Sequence, residues 1–311
     1  NRIAATLDVY YKKTSDLLIR IPPNLGQSNE QLVNVGNLEN RGVEVSVNAL
    51  VVDKKSIQWS VAANVAHNTN RITRLYNDVT ERILGVEILR VGQPLGSFYG
   101  QVFEGVIQEG EDVSKLPSSP SYTTPQPGDP RLKDVNKDGH IDQNDRVVLG
   151  SKQPKLIYGF SSSLNFKGFD LFVLLQGASG NSVYNKLRRY LERPTDAYNT
   201  SAVLLNSWTA SNPSNTVPRI TSSPFSSELD SRYIEDASFL RLRTITIGYT
   251  VNKALLTSRK LPPFRLRLFA TGQNLLTLTG YKGYDPEIAG GVDLGDRKST
   301  RLNSSHQIIS Y

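Results

Sequence analysis

Residues 41–67 read RGVEVSVNALVVDKKSIQWSVAANVAH, and they alternate apolar and polar side chains on both sides of a short polar turn at 53–55. The side chains of one face are Val43, Val45, Val47, Ala49 and Val51, then Ile57, Trp59, Val61, Ala63 and Val65. Successive side chains of a strand leave opposite faces of a sheet, so this period of two predicts a β-hairpin. Each run has roughly the 9–11 residues of a tilted transmembrane strand. A soluble β-sandwich would show the same alternation, so the rest of the chain has to decide.

Composition excludes several classes of protein. The 311 residues contain no Cys, which excludes disulfides, thiol catalysis and zinc sites built from cysteine. No apolar run approaches about 18 residues, so we expect no transmembrane helix. A hydrophobic content of 38% in a chain so rich in strand patterns is typical of a barrel with one apolar and one polar face.

The formal net charge of +7 is spread along the chain rather than gathered into a stripe. Nucleic-acid binding requires a basic stripe or a known module, so we predict no nucleic-acid partner. The histidines, His67, His140 and His306, do not pair in sequence with a plausible nucleophile. We therefore predict that the protein is not an enzyme.

The connections between predicted strands fall into two classes. Besides the hairpin, period-two patterns predict strands at 3–12, 156–166, 168–177, 239–250 and 264–273, with a bulge near Thr244. The connections at 52–56, 166–168 and 251–263 are short or moderate, whereas 13–40, 68–155, 178–238 and the residues from 274 onward are long. If successive strands run in opposite directions, every long connection lies at one end. Outer-membrane barrels have this arrangement, with the long loops outside the cell.

Segment 68–155 has to contain an even number of spans, with zero allowed. Residues 97–103 resemble a strand, which is either an arm of an extracellular hairpin or one of two spans, the other being 83–91. The other predicted strands form an odd set that cannot close on itself, and open edges are not tolerated in lipid. We therefore predict that the chain is part of a larger barrel.

Several segments, in the expected order, resemble the SusC/RagA branch of the TonB-dependent outer-membrane transporters of Bacteroidetes. They are Asn34–Glu44, Val91–Gly100, Gly128–Arg131 leading into Asp134–Gly139, Asn206–Thr209 with Pro218–Arg219, Phe239–Arg243, Gln273–Leu276 and Tyr284–Glu287. The resemblance implies an all-β fold, an antiparallel transmembrane β-barrel of about 22 strands with long extracellular loops. This chain would be a fragment covering about the C-terminal third of that barrel.

The resemblance also implies a function and partners. Such transporters take up nutrients, oligosaccharides or peptides too large for porins, across the outer membrane. A SusD-like lipoprotein covers them from outside, and the TonB complex drives them through a plug, which we expect to lie outside this chain. Residues 1–295 would be the barrel portion, in contact with outer-membrane lipid. Residues 296–311 lack the expected final strand, and we interpret them as a non-native tail.

Residues 134–145 match the oxygen-ligand spacing of an EF-hand-type calcium loop. The predicted ligands are Asp134, Asn136, Asp138, His140 through its backbone carbonyl, Asp142 and Asp145. Gly139 would make the sharp turn and Ile141 would anchor the loop by packing inward. The functional interpretation is a structural Ca²⁺ ion that orders an extracellular loop, and the alternative is an Asp/Asn-Gly turn that needs no metal.

Four arginines fall on the polar phase of neighbouring strands: Arg241, Arg243, Arg265 and Arg267. In a barrel they would form a lumen-facing basic patch that contacts the plug or acidic substrates. The alternative is a hydrated wall with counter-ions. For the chain as a whole, the alternative function is a secreted or surface β-rich glycan-binding module with a calcium loop.

Overall fold

The chain folds mainly into antiparallel β-strands. The computed structural model describes residues 2–21, 31–119, 124–192, 199–221, 229–251 and 266–287. The strands are β1 Ile3–Ile21, β2 Gln31–Lys54, β3 Ile57–Leu75, β4 Glu81–Leu84, β5 Glu87–Arg90, β6 Ser97–Gly100, β7 Phe103–Val106, β8 Pro130–Leu132, β9 Val147–Ser151, β10 Leu156–Phe166, β11 Phe169–Ser179, β12 Ser182–Tyr184, β13 Ile234–Asp236, β14 Phe239–Thr250 and β15 Arg267–Thr279. The α-helix α1 spans Lys186–Leu191. Among the described residues, no helix has both the length and the apolar character needed to cross a membrane.

Seven strands form one sheet, which we call the wall, in the order β1-β2-β3-β10-β11-β14-β15. Each strand pairs antiparallel with its neighbours, which confirms the predicted strands. Because β3 pairs directly with β10, segment 68–155 contributes no further strand to the wall. Residues 97–100 of the predicted strand and most of segment 83–91 lie instead in a separate four-stranded sheet, β4-β5-β6-β9, and Phe103 begins β7, which pairs with β8.

Several wall strands are longer than the sequence pattern predicts, β15 among them, since it continues to Thr279 beyond the predicted 273. β1 continues to Ile21, β2 begins at Gln31 and β3 continues to Leu75, although the alternation of apolar residues ends earlier. The ladder continues through pairs of polar residues such as Lys12 with Asn40. A backbone ladder does not need an apolar face, so the pattern predicts where a strand borders lipid rather than where its pairing ends.

Several bulges interrupt the wall, and two of them bear on the predicted faces. The register of β14 skips between Leu242 and Thr244 against β15, which confirms the predicted bulge. A second skip lies between Leu50 and Val52, where Val52 takes the place opposite Trp59. Val52 therefore takes the position in the apolar row that the alternation predicts for Val51, because a bulge inserts one residue and changes the face of those beyond it.

The two ends of the wall differ in their connections. At one end, the short-turn end, two-residue turns join β2 to β3 and β10 to β11, and 251–266 joins β14 to β15. The turn Lys167-Gly168 has φ angles of 47° and 91°, as a hairpin turn of the primed type requires. The connections 76–155 and 180–238 leave from the other end, the long-loop end, as the sequence predicted. The predicted long connection 13–40 is wrong, because β1 and β2 pair through most of it and leave only 22–30 between them, fewer residues than 251–266 at the short-turn end.

The described parts of 76–155, 180–238 and 280–287 pack together as a cap at the long-loop end. The cap contains most of the buried apolar core, including Ile88, Phe98, Ile107 and Ile141, all at most 2% exposed. A second cluster, Leu38, Ile72, Leu75 and Leu89, attaches it to the ends of β2 and β3. Through most of its height the wall has no such core, so both of its faces depend on surroundings outside this chain.

Candidate functional site

The apolar side chains of the wall strands share one face, which we call the apolar face, and many of them stay exposed. Directly paired residues lie on the same face of a sheet. One row across the sheet consists of Ala5, Val47, Ala63, Phe160, Leu175, Leu242 and Leu276. Leu7, Val9 and Ile247 are 66%, 73% and 56% exposed. An exposed apolar surface of this extent indicates contact with another apolar medium, and lipid is that medium for transmembrane strands.

Aromatic side chains mark the short-turn edge of the apolar face. Phe166 is paired with Phe169, and Phe169 with Tyr249, whose ring centroid lies 4.5 Å away. From Phe166 to Leu156, at the opposite edge, the strand rises roughly 33 Å. At the usual tilt of a barrel strand this is about 25 Å along the membrane normal, the height of the apolar band of an outer-membrane barrel.

The opposite face of the wall, the polar face, is made mostly of small hydroxyl and amide side chains. It includes Ser46, Asn48, Ser60, Asn64, Ser161, Ser163, Asn165, Gln176, Thr246 and Thr271. The hydroxyls of Thr246 and Thr271 are 3.0 Å apart across β14 and β15. Barrel interiors are polar in this way, so the apolar face corresponds to lipid and the polar face to the lumen.

Arg241 is the centre of a charged network at the long-loop end of the polar face. Its side chain is 6% exposed and donates to Asp285 Oδ1 at 2.6 Å, Glu287 Oε2 at 2.7 Å and Thr277 Oγ1 at 3.0 Å. Arg243 also donates to Glu287 Oε2, at 3.0 Å. The chain after β15 therefore turns back across the strands, and its two carboxylates balance the charge of the two arginines.

The described arginines do not form a single patch. Arg241 is opposite Thr277, whereas Arg267 is opposite Thr250, nine positions further along β14 and roughly 30 Å away. At that end Arg267 donates to both carboxylate oxygens of Asp170, at 3.0 and 2.5 Å. Arg265 lies outside the described residues. Contact of these arginines with a plug or an acidic substrate stays a prediction.

The predicted calcium loop is held by hydrogen bonds between its own side chains and backbone. Asp134 accepts from the N–H groups of Lys137 at 2.7 Å and Gly139 at 2.9 Å, and Asp138 Oδ1 accepts from the N–H of His140 at 2.8 Å. The backbone N–H of His140 and the amide of Asn136 lower the pKa of Asp138 below its usual value. Gly139 has a φ of 84°, consistent with its role as the sharp turn.

Asp145 lies inside the loop and has no exposed surface. Its carboxylate accepts from the backbone N–H groups of Val135 at 2.7 Å, Asn136 at 3.4 Å and Asp142 at 2.8 Å. These bonds give Asp145 a structural role whether or not an ion binds, since a buried carboxylate needs such partners.

A neighbouring strand segment supports the same loop. Ser118 pairs with it through Ser118 N–H to Gly139 O at 3.1 Å and Ile141 N–H to Ser118 O at 2.7 Å. Ile141 is 1% exposed, so its predicted inward packing is confirmed. In the described part of the chain, no three His, Cys, Asp or Glu side chains converge as a ready metal site. The calcium site therefore stays a prediction that would need side chains to move on binding.

Asp285 and Glu287 are site residues that the sequence reasoning did not identify. They belong to one motif of the family resemblance, which does not predict their pairing with Arg241 and Arg243. A signal was present, because two carboxylates separated by Pro286 follow a strand that pairs with the arginine-bearing strand. The fold-back of 280–287 that brings them together depends on tertiary structure.

No family model matches the chain. Among curated proteins, the TonB-dependent receptor P3 of Formosa agariphila is 32% identical over 97% of this chain and 30% of its own length. The TonB-dependent receptor SusC of Bacteroides thetaiotaomicron is 29% identical over 94% of this chain and 28% of its own length. The chain therefore spans about a third or less of the curated relatives it matches.

Solved structures give the same result for the fold. The structure of the RagAB peptide transporter superimposes with a TM-score of 0.76 at 27% sequence identity. The match covers 93% of this chain and 31% of that chain. The wall and the cap thus have a counterpart in a known architecture, and both the sequence and the structural similarity extend over nearly the whole chain.

Proposed function

The chain belongs to the SusC/RagA-like TonB-dependent receptors, β-barrel proteins of the outer membrane, and on that premise we propose that the protein containing it imports a nutrient. The observation that carries the proposal is the wall, with an exposed apolar face about as high as a membrane and a polar face behind it. This chain would contribute part of the barrel wall and the extracellular cap, and it would perform no catalytic step.

The proposed substrate is an oligosaccharide or a peptide too large for a porin. One matched structure is of a peptide transporter, and the similarity to SusC does not separate the two classes. The polar face offers hydroxyl and amide groups, which hydrogen-bond either class. Its described arginines are paired with carboxylates, so the wall does not favour an acidic substrate over a neutral one.

The proposed mechanism needs two partners outside this chain. A SusD-like lipoprotein would cover the cap and deliver the substrate, and the TonB complex would act on a plug inside the barrel. The backbone hydrogen bonds that join all the wall strands support a mechanism in which the wall stays rigid while the plug moves. The alternative, a water-soluble glycan-binding module, is not favoured, because such a module would cover its apolar face.

We also propose that residues 134–145 bind a structural Ca²⁺ ion. The side-chain oxygens of Asp134, Asn136, Asp138 and Asp142 and the carbonyl of His140 would hold it, with Asp145 fixing the loop from within. The support is the spacing of these oxygens and the turn at Gly139. The ion would stiffen this part of the cap and would take no part in import.

Deletion of the receptor gene in its own bacterium tests the import proposal. The deletion strain should lose uptake of one class, either oligosaccharides from a polysaccharide digest or peptides from a protein digest, and the intact gene should restore it. A protonophore should abolish the restored uptake, because the TonB complex depends on the proton gradient. Uptake of both digests that is unchanged by deletion would contradict the proposal.

A further inference from the structure

The long-loop edge of the apolar face has a different chemistry from its short-turn edge. On β1–β3 the last apolar row contains Val9 and Val43. The next row on the same face brings Tyr11 opposite Arg41, and the row beyond it brings Lys13 opposite Glu39. Basic side chains therefore begin immediately where the apolar face ends, on the side of the extracellular cap.

The basic groups in these two rows are arranged around one aromatic ring. The Arg41 guanidinium carbon lies 5.0 Å and the Lys13 ammonium 5.5 Å from the centroid of the Tyr11 ring. The Tyr11 hydroxyl donates to Glu39 Oε1 at 2.5 Å, and Arg41 Nη2 lies 3.2 Å from Glu39 Oε2. These contacts hold the two cations side by side at the edge of the face.

Exposure decides the charge that this cluster shows to its surroundings. The side chains of Lys13 and Arg41 are each 67% exposed, whereas Glu39 is 16% exposed. The carboxylate is covered and the two cations project outward. Arg71, opposite Glu39 on β3, adds a third cation to the same row. The surface at this point is therefore positive, although the cluster contains an acid.

We propose that Lys13 and Arg41, held side by side over the Tyr11 ring, bind the phosphate of an anionic glycolipid in the outer leaflet. The cluster lies at the level where the apolar band ends and lipid headgroups begin, beside exposed apolar side chains that would contact the acyl chains. Arginine and lysine are the usual ligands of phosphate, and their aliphatic stems tolerate the membrane boundary. The inference depends on the location of the receptor in the outer membrane and not on import. A failure of the lipid-binding proposal therefore leaves the import proposal intact, and the reverse also holds.

Native mass spectrometry of the intact receptor in a mild detergent tests the proposal. The probes are monophosphoryl lipid A, the same lipid without its phosphate, and inorganic phosphate. Retention of the phosphorylated lipid should fall about fivefold in Lys13→Ala and again about fivefold when Arg41→Ala is added, the usual effect of a basic residue near an anionic surface. The control is Lys12→Ala, which removes the same charge from the adjacent position on the polar face and should not change retention.

One further variant separates the effect of charge from the effect of misfolding. Lys13→Arg combined with Arg41→Lys keeps both charges and should retain the lipid. Equal retention by Lys13→Ala, Lys12→Ala and the unchanged receptor would overturn the proposal. The proposal would also be overturned if the receptor retained the lipid without phosphate as well as monophosphoryl lipid A. Complete displacement of monophosphoryl lipid A by inorganic phosphate at equal concentration would overturn it too. Dissociation of receptor oligomers in the double alanine variant with unchanged lipid retention would assign the cluster to a second copy instead.

Discussion

At the scale of single residues, Arg241 shows how the wall tolerates charge. Its guanidinium has little exposure, and its hydrogen-bond acceptors are two carboxylates and the hydroxyl of Thr277. A buried cation is stable only when it is paired and hydrogen-bonded in this way. The network also fixes 285–287 to the wall, so that a surface loop becomes part of the lining of the polar face.

Removal of this cation should destabilise the protein. We expect Arg241→Ala to lower the free energy of unfolding by about 2 kcal/mol, less than a fully buried pair costs because Asp285 and Glu287 can rehydrate. Guanidinium unfolding of the receptor in detergent measures the change. Arg243→Ala, which removes a more exposed partner of Glu287, should cost about 0.5 kcal/mol. Equal losses in the two variants would contradict the ranking.

The calcium loop gives a second prediction for single residues. If Ca²⁺ binds, its addition at ten times the dissociation constant should raise the free energy of unfolding by about 1.4 kcal/mol, and a chelator should reverse this. Asp134→Ala should abolish the calcium-dependent increment, whatever it does to stability without calcium. The control is Asp112→Ala, which removes another exposed carboxylate of the cap. An increment that persists in Asp134→Ala would exclude this loop as the site.

At the scale of elements, the apolar alternation in the sequence indicates where a strand borders lipid, whereas the hydrogen-bond ladder shows where its pairing ends. Apolar alternation ends near Val9 on β1, yet β1 continues to Ile21, because polar pairs continue the ladder above the membrane. The short turns, in contrast, are set locally. Both residues of the Lys167-Gly168 turn have positive φ, which Gly168 adopts without steric cost, and the position of the turn fixes the register of β10 and β11.

Gly168 should be the least replaceable residue of that turn. A Cβ at this position would lie 2.8 Å from the carbonyl oxygen of Thr250, in addition to the cost of a φ of 91°. We expect Gly168→Ala to lower the free energy of unfolding by about 2 kcal/mol. Gly110→Ala is the matched control, since Gly110 has a φ of 86° with open space around it, and should cost about 1 kcal/mol. Urea unfolding of both variants measures the loss in free energy of unfolding. Equal losses would show that the backbone shifts to relieve the contact between the new Cβ and the carbonyl oxygen of Thr250.

At the scale of the whole molecule, the two parts of the chain are stabilised by different surroundings. The cap has a buried core and can exclude water by itself. The wall has exposed side chains on both faces, and its outermost strands, β1 and β15, each pair on one side only among the described residues. Unpaired backbone groups are costly in lipid, so the remaining strands of the barrel have to close these edges.

A charge placed on either face of the wall separates lipid from lumen. Val47 lies near the middle of the apolar face, and Val47→Arg should lower the stability of the barrel by about 3 kcal/mol and reduce the amount of folded receptor in the outer membrane. Ser46→Arg places the same charge on the polar face of the same strand and should cost much less. Heat-modifiable migration of membrane extracts on gels measures the folded fraction. A larger loss for Ser46→Arg would reverse the assignment of the faces.

The sequence by itself determined the wall, its hairpin turns, the sorting of its long connections and the kind of receptor to which the chain belongs. These features are local or additive, since a period of two sets the face of every side chain and turn residues set the register. Tertiary structure alone decided that 76–155 adds no strand to the wall, that Arg241 and Arg267 lie at opposite ends, and that Asp285 and Glu287 neutralise Arg241 and Arg243. Such contacts join residues far apart in the chain, and their free energy depends on how loops return to the wall, which no local pattern encodes.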